Sequence, residues 1–128
     1  MTDYAHYGPL VRLAAAHSTE VEMDQSLWSC LYEYDTSGKA PAPASIAEIT
    51  HLRATSPKGW SSTDIALVGR LADGRWVTCV AWSDTAGFGC REQVDWWVGE
   101  TREDAIKFGL DEESRRALGF PSIAGETR

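Results

Sequence analysis

Apolar and polar positions alternate most clearly between Asp64 and Trp97. Two such runs, 64–72 and 75–83, flank the pair Asp73-Gly74. Asp-Gly between alternating runs is the strongest short-range hairpin signal. A two-residue loop there pairs Leu71 with Trp76, Gly69 with Thr78, Leu67 with Val80 and Ile65 with Trp82. The opposite face then pairs Ala72 with Arg75, Arg70 with Val77, Val68 with Cys79 and Ala66 with Ala81. The first of these faces carries the bulk. A lone hairpin is marginal in water, so it needs a third strand or a helix against it. Residues 91–98 supply a third strand, with Val94, Trp96 and Val98 on one side.

Elsewhere the spacing is helical. Residues 10–17 are good helix formers behind Gly8-Pro9, and proline suits a first helical turn. Met23, Leu27, Cys30, Leu31 and Tyr34 fall on one face of a second helix. Ser18 or Thr19 would cap it, with Glu20 and Glu22 at its positive end. Residues 35–43, rich in Gly and Pro, read as an exposed loop. Ser45-Ile-Ala-Glu48 matches a capping box, which predicts a short helix with Ile46, Ile49 and Leu52 inward. Thr101 and Asp111 open two further helices, the first burying Ala105, Ile106 and Leu110. Residues 122–128 read as a frayed tail. The expected fold is a single α+β domain over residues 1–128. Its three-stranded antiparallel meander (64–72, 75–83, 91–98) is packed against N- and C-terminal helices.

Composition narrows the function classes. The chain has 128 residues, enough for one domain with its own core. Lys plus Arg number 12 and Asp plus Glu 19, a net charge of −7. That sign opposes binding to nucleic acid or to anionic membranes. No apolar run is long enough for a membrane helix, and the N-terminus has no signal-peptide pattern. Cys30, Cys79 and Cys90 are an odd set without close pairing, which suits a reducing cytoplasm.

The chemistry candidates are few. Cys30, Cys79 and Cys90, with His6, His17 and His51, lack the paired short spacing of a zinc site, so neither metal nor cofactor is expected. No nucleophile elbow, zinc-protease helix or phosphate-binding glycine loop occurs. Asp64, Asp84 and Asp95 could meet at strand ends as acid–base partners, but ordinary solvated carboxylates are the better explanation of them. The acids at helix starts account for much of the negative charge without invoking mimicry of DNA. The segment Ser83–Cys90 and the tryptophans are less easily absorbed by folding alone. Asp84, Thr85, Gly87 and Phe88 lie in a loop able to bind a partner or simply to turn the chain. Adjacent strand residues Trp96 and Trp97 face opposite ways, so one of them, with Trp60, is a candidate binding aromatic unless helices cover both faces.

The stretch Gly69-Arg-Leu-Ala-Asp-Gly-Arg-Trp76, followed by Ala81-Trp-Ser-Asp-Thr-Ala-Gly-Phe-Gly-Cys90, resembles a family of small uncharacterised proteins of actinobacteriophages and their actinobacterial hosts. Those proteins share a Gly-Arg-Leu-x-Asp-Gly-Arg hairpin and then Ala-x-x-Asp-x-Thr-Gly-aromatic-x-Cys. Here Ser83 stands where members often have Cys, which argues against a cysteine-pair site. The family has no established activity, so no functional residue carries over. The resemblance implies a small accessory protein in the host cytoplasm that acts on host or phage proteins.

The leading expectation is therefore a non-enzymatic protein-interaction module of phage type. Its expected partner-binding residues are Trp60, Asp84, Thr85, Gly87, Phe88 and Trp97. One alternative is a ligand-binding or enzymatic domain using Asp84, Asp95 and Cys90. Another is a homodimer joined through the third strand or the tryptophan face.

Overall fold

Four strands form one antiparallel meander in the order β1-β2-β3-β4. They are β1 (Ile46–Thr55), β2 (Thr63–Leu71), β3 (Trp76–Ser83) and β4 (Glu92–Gly99). The computed structural model describes residues 7–57, 62–84, 88 and 91–121. Helices α1 (Gly8–Ala14) and α2 (Gln25–Glu33) precede the sheet, and α3 (Arg102–Gly109) and α4 (Glu112–Ala117) follow it. The α+β class is as expected, but the sheet has four strands rather than three.

The additional strand, β1, occupies the segment expected to be a helix. Two register irregularities against β2, between Ile46 and Glu48 and between Ile49 and His51, explain the misreading. Each bulge inserts an extra residue, so the inward positions run Ile46, Ile49, Leu52, Ala54. Spacings of three imitate a helical face. Ser45 does not cap a helix; its hydroxyl donates to the Ala42 carbonyl at 2.6 Å.

The hairpin register also differs from expectation by one residue. The Leu71 amide bonds the Arg75 carbonyl, and the Gly74 amide bonds the Leu71 carbonyl. Ala72, Asp73 and Gly74 therefore form a three-residue loop, with Gly74 at φ +94°. This is a tight turn followed by a left-handed residue, the next most common hairpin closure after the two-residue form. Arg70 now faces Trp76, Leu67 faces Cys79, and Asp64 faces Trp82. A slip of one exchanges the faces of a whole strand.

One sheet face, formed by Leu67, Val77, Cys79, Val94 and Trp96, meets Leu10 of α1 and Trp28 and Leu31 of α2. Trp96 is buried, and its indole N–H donates to the Leu31 carbonyl at 2.8 Å. Burying such a side chain contributes about 2–3 kcal/mol. The other face carries Val68, packed against Ile106 and Leu110, with Trp76, Val80 and Phe120 partly buried beside them. Helices thus cover both faces, and residues 65–69 of β2 are buried without a break.

Side-chain caps fix the starts of α2, α3 and α4. Asp24 caps α2 by accepting from the Leu27 amide at 2.9 Å, in place of the expected Ser18 or Thr19. Thr101 and Asp111 cap α3 and α4, as their spacing predicts. Both sheet edges are bonded to nearby chain. The Glu20 and Val21 amides bond the Ala54 carbonyl on β1. On β4, the Thr36 amide bonds the Val94 carbonyl, and the Ser37 hydroxyl accepts from the Trp96 amide at 3.0 Å. Such cover blunts strand-to-strand aggregation.

Candidate functional site

The corrected register decides which aromatics reach the surface. On the C-terminal face, β3 presents Trp76, Thr78, Val80 and Trp82, and β4 presents Asp95 and Trp97. Helix α3 rests on this face at Gly109. A methyl group there would lie 1.9 Å from the Thr78 hydroxyl and 2.8 Å from the Trp97 Cβ. Glycine therefore sets the closeness of helix and sheet. With Ala105, Ile106 and Leu110 turned inward, Phe108 falls outside the buried arc of the helix. It is 59% exposed and lies 6.1 Å from the Trp97 ring. Lys39 Nζ sits 3.9 Å from the Trp97 ring centroid.

Helices α3 and α4 leave two hollows on this face. One, of about 390 Å³, is bounded by Lys39, Asp95, Trp97, Phe108 and Asp111. The other, also about 390 Å³, is bounded by Arg53, Asp64, Trp82, Asp111 and Glu113. Val80 and Asp111 line both, so the hollows adjoin. Their rim is acidic, with four carboxylates against two cations. Asp95 accepts from Gln93 at 2.6 Å and from Thr36 at 3.2 Å, and Asp111 caps α4. Trp82 is 37% exposed, with Asp64 and Gln93 directly across from it on β2 and β4.

The residues singled out from sequence are divided by the fold. Trp97 is half-buried on the C-terminal face. Asp84 lies at the end of β3, paired with Arg91 at 3.2 Å, and lines a strand-end hollow of about 310 Å³ with Asp64 and Trp82. Phe88 stacks on Tyr34 at 6.2 Å and packs against the N-terminal core. Trp60, Thr85, Gly87 and Cys90 lie outside the described residues. Asp95 belongs to a different hollow from Asp84. Trp82 and Phe108 are additional. A two-residue hairpin loop would place Trp82 on the bulky inner face, and the one-residue difference in register moves it to the other. Phe108 is legible in the sequence as the residue outside the Ala105–Ile106–Leu110 arc.

Among the described residues, no three metal-binding side chains gather. Burial pushes the Cys79 thiol well above its ordinary range, and Asp35 and Asp95 push it further. Burial also raises the Cys30 thiol, with Glu33 and Asp24 adding to the effect. Neither is poised as a thiolate nucleophile. No helix among the described residues is long and apolar enough to cross a membrane. No protein-family model matches the chain, nor does any curated protein or solved structure.

Proposed function

We propose that this chain is a non-enzymatic protein-interaction module, a small accessory protein of phage type that binds a host or phage protein in the cytoplasm. The observation that carries this reading is the exposure of Phe108 and Trp82, 59% and 37%, on the face where helical cover is incomplete. Single exposed apolar residues are ordinary surface. Here Phe108 shares one hollow with half-buried Trp97 while Trp82 lines the adjoining one, and aromatic side chains are enriched in protein interfaces. Asp84 remains in the proposed surface because it shares a hollow with Trp82. Phe88 leaves it, because its ring packs toward the opposite face. The ligand or enzyme reading needs Asp84, Asp95 and Cys90 to converge, and the separate hollows of Asp84 and Asp95 give it no support.

The test is capture of a partner from the actinobacterial host by the wild type, Phe108→Glu and a remote Arg75→Ala control. The reading expects a partner lost with Phe108→Glu, at unchanged thermal stability, and kept by the control. A partner retained equally by all three overturns this choice of surface. Light scattering on the same samples separates self-association from binding to another protein.

A further inference from the structure

Resting on that interaction reading, we infer that the groove between α4 and the β2–β3 pair receives a cationic segment of a protein partner, with an arginine side chain laid over the Trp82 ring. Three observations converge on this occupant. The first is charge. Asp64, Asp95, Asp111 and Glu113 line the adjoining hollows, against Arg53 and Lys39. In a chain of net charge −7, such a groove attracts a basic segment and repels phosphate-bearing polymers.

The second observation is the ring itself. Trp82 is more than one-third exposed, and no ring or cation contact to it is found among the described residues. Asp64 is its direct cross-strand neighbour. An indole face beside a carboxylate offers a guanidinium both a stacking surface and an acceptor. The third observation is internal. Trp97, which lines the adjoining hollow, already holds a cation of this chain, Lys39 Nζ at 3.9 Å. The same pairing recurs where Arg102 lies 5.2 Å from the Phe120 ring. Trp82 is the open counterpart of an arrangement the protein already uses.

The probe is a blocked pentapeptide, acetyl-Ala-Arg-Leu-Arg-Ala-amide, titrated against the full chain and followed by amide and indole N–H NMR shifts. The control peptide carries citrulline, which keeps the shape and removes the charge. The expected result is shifts centred on Trp82, Val80 and Asp111, and binding weakened about 2- to 30-fold by the citrulline exchange. Trp82→Leu, which keeps apolar bulk without the aromatic ring, weakens the arginine peptide by a similar factor. Asp64→Asn weakens it less, and raising salt weakens it in the wild type. Equal binding of the two peptides, shifts centred elsewhere, or no arginine-peptide binding overturns the inference. If Phe108→Glu still loses a captured partner in that case, the interaction reading stands and only the cationic occupant is wrong. If it does not, both fail.

Discussion

Gly109 has no room for a side chain. A methyl group on its Cα would collide with the Thr78 hydroxyl and the Trp97 Cβ, and both belong to packed strands. Alanine is ordinarily the better helix residue by about 1 kcal/mol, so propensity alone favours Gly109→Ala. The overlap outweighs that gain, because overpacking costs about 1–3 kcal/mol. Gly109→Ala should therefore lower the urea midpoint and shift the Trp97 indole signal. His51 gives a pH prediction. Its ring lies 4.6 Å from Phe120, and its Nδ1 is 2.9 Å from the Thr50 hydroxyl. Burial, then the charges of Arg102 and His17, hold its pKa below the usual 6.5. The folded state thus binds fewer protons than the unfolded chain just below that value. This contribution is complete above pH 6.5 and is lost as pH falls through it. His51→Gln should flatten the dependence of the urea midpoint between about pH 7.5 and 5.5. An unchanged slope would remove His51 as its source.

Elements show how a sequence pattern can be right in kind and wrong in register. Asp73-Gly74 signals a hairpin, and a hairpin forms. Whether two or three residues close it depends on how β2 settles on the core, which the pair does not encode. Gly74 is nevertheless required, since its φ of +94° is strained for any residue with a Cβ. Gly74→Ala should cost about 1–2 kcal/mol, read from the urea midpoint, with the β2–β3 amide shifts most perturbed. A loss near zero would mean the loop relaxes into the two-residue form. Strand β1 makes the complementary case. Its bulges insert Ala47 and Thr50, and the resulting threefold spacing of Ile46, Ile49 and Leu52 is indistinguishable from a helix by periodicity alone. Caps are easier to read, because Thr101 and Asp111 bond residues only three positions away.

At the scale of the whole molecule, one sheet joins two apolar layers. Leu67, Cys79 and Trp96 serve the N-terminal layer, while Val68 and Val80 serve the C-terminal one. The layers share strands, so they should unfold together. Leu31→Ala and Leu110→Ala, on opposite sides, should each cost about 2–5 kcal/mol. Both should leave a single urea transition in which far-ultraviolet circular dichroism and tryptophan fluorescence coincide. A separate early transition in Leu110→Ala would show the C-terminal layer folding on its own. The sequence alone determined the class, the hairpin, the later strand and the capped C-terminal helices, because each rests on interactions between residues close in the chain. It also marked Trp96 and Trp97 as facing opposite ways, which follows from the pleat. Only the tertiary structure decided the hairpin register, the identity of 46–55 as a bulged strand, and the separation of Phe88 from Trp97. Those depend on which distant residue lies opposite, and a slip of one position costs little locally while exchanging every side chain between faces. The same slip brought Trp82 out of the expected core and onto the candidate surface, beside Asp64.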